Sequence, residues 1–247
     1  MKKKRFKKII IASLVLLGLL LGGVFYFLNQ VYTPSDLLYQ NVSENSYTFK
    51  DDFYLFNQES THATGIIIYP GALVEPLSYG YIANELAKEG YFVAIAKMNL
   101  NLSIVDSNKA DQIVEAYSDI DSWYIAGHSM GGVTACKYAN NHQDFIDGVI
   151  LLGSYPSSSD DLSDTSIDVL SIYGQYDCLT TLEDIDESKA LLPKDTEFEE
   201  IVGGNHAQFG LYGKQKGDNE AKISPLEQQN EVIDFMKQFL HDQGINQ

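Results

Sequence analysis

Residues 123–139 read WYIAGHSMGGVTACKYA, and this stretch decides the fold. Its first four residues are apolar and favour a short strand, whereas its last seven predict a helix. Between them, Gly127 to Gly131 form the pattern Gly-x-Ser-x-Gly. Glycines two residues before and after the serine let the strand and the helix pass closely, and the sharp turn between them lifts the serine out of the sheet. The stretch therefore predicts an exposed nucleophile, Ser129.

Two further candidate catalytic residues follow predicted strands downstream. The apolar segment 167–174 leads to Asp177, and the alternating segment 196–202 leads through two glycines to His206. The order serine, aspartate, histidine along the chain differs from the orders found in chymotrypsin and subtilisin. We expect Ser129 to attack an acyl carbon, His206 to take its proton, and Asp177 to orient the imidazole.

These features resemble the α/β-hydrolase superfamily, in which the triad follows this order. The resemblance covers roughly residues 46–243 and is greatest for a bacterial, dienelactone-hydrolase-like group. It rests further on residues 69–72 (YPGA), after the third predicted strand, and on residues 205–213 (NHAQFGLYG). It implies a serine-hydrolase triad and identifies no substrate. Many members have His-Gly after the third strand, where this chain has Pro70-Gly71.

A serine hydrolase also needs two N–H donors for the oxyanion of its tetrahedral intermediate. The geometry of the turn offers the N–H of Met130, the residue after the nucleophile. We expect the second donor from the loop after the third strand. Ala72 is the preferred candidate there, and Leu73 is the alternative.

Predicted strands and helices alternate along the chain, which indicates an α/β fold with a doubly wound, mostly parallel sheet. The predicted helices include residues 79–88 and 106–117, and a last helix opened by a capping box at residues 224–227 (SPLE). Residues 153–166 connect the strand after the serine helix to the aspartate strand. Ten residues of this 14-residue connection are Ser, Asp or Pro, so we expect no sizeable cap domain.

The N-terminal residues predict a membrane anchor. Residues 1–8 are basic, and residues 9–28 form an uncharged apolar run of 20 residues, long enough to span a bilayer as a helix. The basic flank favours a cytoplasmic N-terminus, with the rest of the chain outside the cell membrane. Residues 29–45 read as a stalk and residues 46–247 as the hydrolase domain. A cleaved signal peptide, which would release a secreted protein, is the alternative.

Charge and composition exclude several function classes. Six of the 17 basic residues precede residue 9, which leaves 11 basic residues against all 34 acidic ones, a net charge of −23. With this negative charge, the chain after residue 8 repels nucleic acid. Cys136 and Cys178 read as free, largely buried thiols. The histidines show no metal-ligand spacing and no nucleotide-binding motif is present, so we expect neither a metal nor a cofactor.

The sequence therefore predicts a membrane-anchored serine hydrolase acting on a small-molecule carboxylic ester, with short acyl groups favoured. One alternative is an envelope acyltransferase, in which an alcohol replaces water at the acyl-enzyme. The other is a catalytically idle surface protein that binds a ligand with a hydrolase-like domain.

Overall fold

The structure, a computed structural model, describes residues 2–28, 30–58 and 64–242. Parts of the domain predicted over residues 46–247 (residues 59–63 and 243–247) lie outside the described residues. The helices are α1 (Lys2–Leu28), α2 (Asp36–Asn41), α3 (Gly80–Lys88), α4 (Asp111–Ala116), α5 (Met130–Asn141), α6 (Leu182–Ser188) and α7 (Pro225–Asp242). The strands are β1 (Tyr47–Lys50), β2 (Phe53–Phe56), β3 (Thr64–Tyr69), β4 (Phe92–Ala96), β5 (Ser122–His128), β6 (Ile146–Leu152), β7 (Asp168–Gly174) and β8 (Glu197–Ile201).

These strands form one eight-stranded sheet in the order β1-β2-β4-β3-β5-β6-β7-β8. β1 and β2 pair antiparallel, β2 pairs antiparallel with β4, and all the other neighbours are parallel. The prediction of a mostly parallel sheet is therefore confirmed. The carboxyl ends of parallel strands meet at one edge, where open α/β sheets hold their ligands. Ser129 follows β5 at this edge, Asp177 follows β7, and His206 follows β8.

Helices cover both faces of the sheet, as expected for a doubly wound fold. α3 and α7 bury their apolar stripes against one face, together with alternate residues of β3 and β4. α4 and α5 cover the other face. The central strands β3 and β5 are apolar on both sides because both sides are buried; β3 is buried along its whole length, and β5 from Trp123 to His128.

Two elements differ from the sequence prediction. The helix expected over residues 106–117 shortens to α4, because Asp106 has non-helical backbone angles and its carboxylate accepts the N–H and the side-chain amide of Asn99. The segment expected as a stalk over residues 29–45 contributes from Tyr32 onward to the compact unit 32–247. Leu38 of α2 and Val42, the residue that directly follows the helix, are buried in its core.

The connection between β6 and β7 contains no helix or strand over residues 153–167. It therefore builds no helical cap at the carboxyl edge, in agreement with its polar composition. The last helix begins as predicted: the N–H of Ser224 donates to Glu227, and the N–H of Glu227 donates to the hydroxyl of Ser224.

α1 forms a compact unit of its own with the residues up to Val31. Its stretch Phe6–Phe25 is long and apolar enough to cross a membrane. Length and composition alone support this, and a signal sequence passes the same test.

Candidate active site

Ser129 occupies the turn between β5 and α5 with φ of 54° and ψ of −122°. This left-handed conformation is strained for a residue with a side chain, and such strain is concentrated at functional sites. The turn closes only because two glycines permit it. A Cβ on Gly127 would overlap the backbone of α5, and a Cβ on Gly131 would overlap the carbonyl oxygen of Tyr69.

The turn is also held from the neighbouring strand β6. The N–H of Ser129 donates to the carbonyl of Leu152 at 3.2 Å, and the buried hydroxyl of Ser154 donates to the carbonyl of Ser129 at 2.7 Å. The serine itself is only half-buried. Its backbone is therefore fixed while its side chain borders solvent.

Asp177 lies in the tight turn after β7, and its carboxylate is fully buried. Its Oδ1 accepts the N–H groups of Leu179 at 2.8 Å and Thr180 at 2.7 Å. Gly153, with φ of +50°, lies directly against the carboxylate, where a Cβ would be 2.9 Å from Oδ2. The turn thus fixes Asp177 and leaves Oδ2 for one further donor.

That donor is Nδ1 of His206, at 2.7 Å from Oδ2 of Asp177. The histidine side chain is buried, with 1% exposed. Because an ionised carboxylate can only accept, Nδ1 carries the proton and the lone pair of the neutral ring lies on Nε2. This is the tautomer that a general base needs.

Nε2 of His206 has no hydrogen-bond partner among the residues that the structure describes. A buried polar atom without a partner is costly and calls for an explanation, and beside a bonded carboxylate the atom is free to accept a proton. The structure therefore brings Asp177 and His206 together but forms no bond between His206 and the hydroxyl of Ser129. In hydrolases without substrate this bond is often long and tightens on binding.

His128, the residue before the nucleophile, is buried and its ring lies 4.5 Å from that of His206, centroid to centroid. Its Nδ1 is 2.7 Å from the hydroxyl of Tyr79. Burial, and next the neighbouring His206, lower the pKa of His128 well below its ordinary value. The ring is thus neutral beside the proposed base. The sequence offers no signal for such a role of His128 beyond its place inside the Gly-x-Ser-x-Gly motif.

Ala72 and Leu73, which follow β3, are the two candidates for the second oxyanion donor. The hydrogen bonds of the backbone N–H groups near the serine distinguish them. Leu73 donates its N–H to the carbonyl of Asn101, and Gly71 donates its own to the hydroxyl of Tyr79. The N–H groups of Ala72 and Met130 have no acceptor within the described part of the chain. Leu73 is therefore engaged elsewhere, and Ala72 with Met130 remains the pair with free donors.

Asp218, a residue that the sequence gave no reason to select, lies beside the turns that carry Asp177 and His206. Its carboxylate accepts the N–H of Ala207 and that of Cys178. Asp218 also lines a cavity of about 450 Å³ beneath the loop after His206. The lining residues of this cavity include Asn205 and Ala207 but not Ser129.

Both cysteines are free, as expected, but only Cys136 is buried; Cys178 is exposed. The turn after Asp177 places Cys178 at the surface, which corrects the expectation that both thiols are largely buried. Among the described residues, no group of three or more His, Cys, Asp or Glu side chains could hold a metal ion. The absence of a metal or cofactor in the reaction stays a prediction.

Comparison with known proteins gives a family for this arrangement. A family model described as "Alpha/beta hydrolase family" matches residues 65–230, a stretch that includes all three candidate catalytic residues. No curated protein matches the sequence significantly. The family model does not distinguish a subgroup, so the likeness to dienelactone hydrolases stays a prediction.

Solved structures with the same architecture are numerous. An alpha/beta hydrolase enzyme from the metagenome of sediments of the Mar Chica lagoon in Morocco has a TM-score of 0.62 and 16% identity, over 80% of this chain and 99% of that one. A thermophilic esterase from Thermogutta terrifontis has a TM-score of 0.57 and 13% identity, over 80% and 97%. A predicted CIB-like hydrolase from Thermoplasma acidophilum has a TM-score of 0.54 and 16% identity, over 78% and 96%. At these identities the likeness shows the fold alone.

Proposed function

The chain belongs to the alpha/beta hydrolase family, and from that premise we propose that it is a serine hydrolase that cleaves carboxylic esters of small molecules. The observation that carries the proposal is the hydrogen bonding of the two ring nitrogens of His206. Its Nδ1 is bound to a buried carboxylate, and its Nε2 is buried without a partner among the described residues. The strained Ser129 lies one residue from His128, whose ring is in contact with that of His206.

The proposed reaction has two halves. The hydroxyl oxygen of Ser129 attacks the acyl carbon while its proton passes to Nε2 of His206. The negative oxygen of the tetrahedral intermediate accepts the N–H groups of Met130 and Ala72. His206 then gives the proton to the departing alcohol, which leaves an acyl-enzyme. Water repeats the sequence on the acyl carbon, and the carboxylic acid leaves as Ser129 regains its proton.

Asp177 supports both halves without exchanging a proton. Its Oδ2 holds the proton on Nδ1 of His206 and stabilises the imidazolium that forms during each attack. Since Oδ1 is already occupied by two backbone N–H groups, the carboxylate cannot rotate away without losing them. The ring is thereby kept in one orientation.

The test is covalent labelling by a fluorophosphonate, followed by hydrolysis of p-nitrophenyl acetate. We expect the wild-type chain to be labelled, and Ser129→Ala and His206→Ala each to lose labelling and at least about 1,000-fold of the esterase rate. The two losses should not add, because the residues act as one unit. Ser171→Ala is the matched control, since Ser171 is buried on β7 without a hydroxyl partner among the described residues.

Labelling that survives Ser129→Ala would contradict the assignment of the nucleophile. A wild-type chain that folds but is never labelled would instead support the idle binding protein. An acyltransferase would be labelled as well, and products formed with added alcohols distinguish it from a hydrolase.

We further propose that α1 anchors the enzyme in the cell membrane with the hydrolase unit outside the cytoplasm. The basic residues Lys7 and Lys8 directly precede the uncharged run 9–28, and positively charged flanks favour the cytoplasmic side. Small esters from outside the cytoplasm would then reach the site directly.

A further inference from the structure

Asp218 connects the turn that carries Asp177 to the loop that carries His206. Its Oδ2 accepts the N–H of Ala207 at 2.8 Å, and its Oδ1 accepts the N–H of Cys178 at 3.3 Å. Ala207 and Cys178 are the residues that directly follow His206 and Asp177. One carboxylate therefore ties together the backbone immediately after both members of the acid–base pair.

A second tie lies immediately before the pair. The N–H of Tyr176 donates to the carbonyl of Gly204 at 2.7 Å. The contact between Asp177 and His206 thus lies between two connections of the same two segments. A backbone hydrogen bond joins the segments before the pair, and the Asp218 bridge joins them after it. The backbone bond does not depend on any side chain, whereas the bridge depends on a single carboxylate.

Asp218 is itself held in place. Its Oδ1 also accepts the N–H of Asn219 at 2.9 Å, and the side-chain amide of Asn205 donates to the carbonyl of Asn219 at 2.6 Å. The N–H of Lys222 donates to the carbonyl of Gly203 at 2.7 Å. The segment around Asp218 is therefore fastened to the residues that precede His206, so the carboxylate is a fixed point and not a mobile surface group.

We propose that Asp218 is a positioning residue, which holds His206 at the distance and angle from Asp177 that proton transfer requires. This inference rests on the proposed function of the triad. Hydrogen bonds from N–H groups to a carboxylate are stronger than those to a neutral acceptor. A displacement of about 1 Å in a catalytic group can cost about 100-fold in rate, so loss of the bridge affects the chemical step more than substrate binding.

Asp218→Asn tests this in the full-length chain in detergent micelles. Asparagine keeps the size of the side chain but has one acceptor oxygen, and its amide group cannot accept the second N–H. We expect kcat for p-nitrophenyl acetate to fall by about 10- to 100-fold, with KM changed by less than about twofold. The rate of fluorophosphonate labelling should fall in parallel with kcat.

Glu220→Gln is the matched control. Glu220 lies two residues away on the same loop, is exposed and pairs with the exposed Lys214, so its replacement removes the same charge without the bridge. We expect its kcat and KM to remain within about twofold of the wild-type values. If Asp218→Asn does not fold, Asp218→Glu takes its place, since it keeps the charge but displaces the carboxylate by one methylene.

A second readout does not depend on turnover. The proton on Nδ1 of His206, bonded to Asp177, should give a low-field proton NMR signal in the wild-type chain and in Glu220→Gln. We expect Asp218→Asn to broaden or abolish it. Wild-type kcat together with an unchanged signal in a folded Asp218 variant would overturn the inference. A wild-type chain that neither hydrolyses the ester nor reacts with the probe would overturn the proposed function, while the NMR comparison still decides the role of Asp218.

Discussion

The hydroxyl of Tyr79 lies 2.7 Å from Nδ1 of His128, and both side chains are fully buried. The same hydroxyl accepts the N–H of Gly71 at 3.0 Å. Burial raises the pKa of Tyr79 far above its ordinary value, so the group stays a phenol that can donate to His128. Through this one hydroxyl, the loop after β3 is tied to the residue before the proposed nucleophile.

Tyr79→Phe should therefore impair the proposed oxyanion site at Ala72 and Met130. The N–H of Gly71 would lose its acceptor, and the adjacent N–H of Ala72 would no longer be held in place. We expect kcat for p-nitrophenyl acetate to fall by at least about 10-fold. The fall should be smaller than the roughly 100- to 1,000-fold that the complete removal of one oxyanion donor causes. Tyr69→Phe is the control, because the buried hydroxyl of Tyr69 also donates to a carbonyl and accepts an N–H, at Ser107 and Ala110. Equal losses of kcat in the two variants would contradict a specific role of Tyr79.

The buried His128 should make stability depend on pH. Its pKa in the folded chain lies well below 6.5 because burial disfavours the charged ring. The unfolded chain takes up a proton as the pH falls below about 6.5 and the folded chain does not, so the free energy of unfolding is lowest at acid pH. The loss is about 1.4 kcal/mol per pH unit for this one group, until the pH reaches the pKa of the folded state.

Denaturant unfolding of the wild type, His128→Asn and His241→Gln at about pH 7.5 and about pH 5.5 checks this. We expect His128→Asn to lose less stability on acidification than the wild type, whatever its stability at neutral pH. His241 is exposed, so its variant should keep the wild-type dependence. A wild-type pH dependence in His128→Asn would show that another group causes the acid loss.

The parts of the site that local sequence encodes were predictable. The strand, the turn and the helix around Ser129 are one continuous segment whose glycines are needed wherever strand and helix pass closely. The contacts of Tyr79 and Asp218, on which their proposed roles rest, were not predictable in this way. Asp218 binds backbone groups 40 and 11 residues away, and only tertiary packing brings those groups together. A single acidic residue in a polar loop carries no such information.

The same limit explains the errors in the fold. Residues 29–45 look polar on average, yet Leu38 of α2 and Val42, which follows the helix, are both buried in the core. The helix predicted over residues 106–117 does form, but only as α4, from Asp111 to Ala116. The side chain of Asp106 accepts hydrogen bonds from Asn99 and does not cap a helix.

Asp177→Asn and Asp184→Asn distinguish the proposed orienting acid from a nearby structural carboxylate. Asparagine at residue 177 can donate to Nδ1 of His206 and so favour the wrong tautomer, for which we expect a fall in kcat of about 10,000-fold. Asp184 completes the capping box of α6 with Thr181. Its variant should lose about 1 kcal/mol of stability and keep wild-type kcat. A large fall in kcat in Asp184→Asn, with Asp177→Asn active, would reverse the assignment.

The proposed topology predicts that the hydrolase unit is accessible from outside the cell. In an intact cell that expresses the full chain, added protease should degrade the unit, and the protein should sediment with the membrane fraction. A cytoplasmic protein that stays intact serves as the control for cell integrity. N-terminal sequencing distinguishes the anchor from a signal peptide, because a mature chain that begins after Leu28 would show that α1 is removed.

The last prediction concerns the length of the acyl group. Enzymes that bind long acyl chains need an apolar wall near the nucleophile, and the connection between β6 and β7 supplies no helical cap for one, since residues 153–167 form no helix or strand. The cavity of about 450 Å³ beneath the loop after His206 is not lined by Ser129. Added methylenes should therefore gain far less than the roughly 0.8 kcal/mol each that full burial gives.

We expect kcat/KM to change little from p-nitrophenyl acetate to butyrate and to fall for decanoate. The measurement uses residues 31–247 without detergent, at substrate concentrations below micelle formation, so that all three esters are compared as monomers. Ser129→Ala, measured in parallel, corrects for hydrolysis that does not use the site. A clear preference for decanoate would contradict the open site and require an apolar acyl pocket that opens on binding.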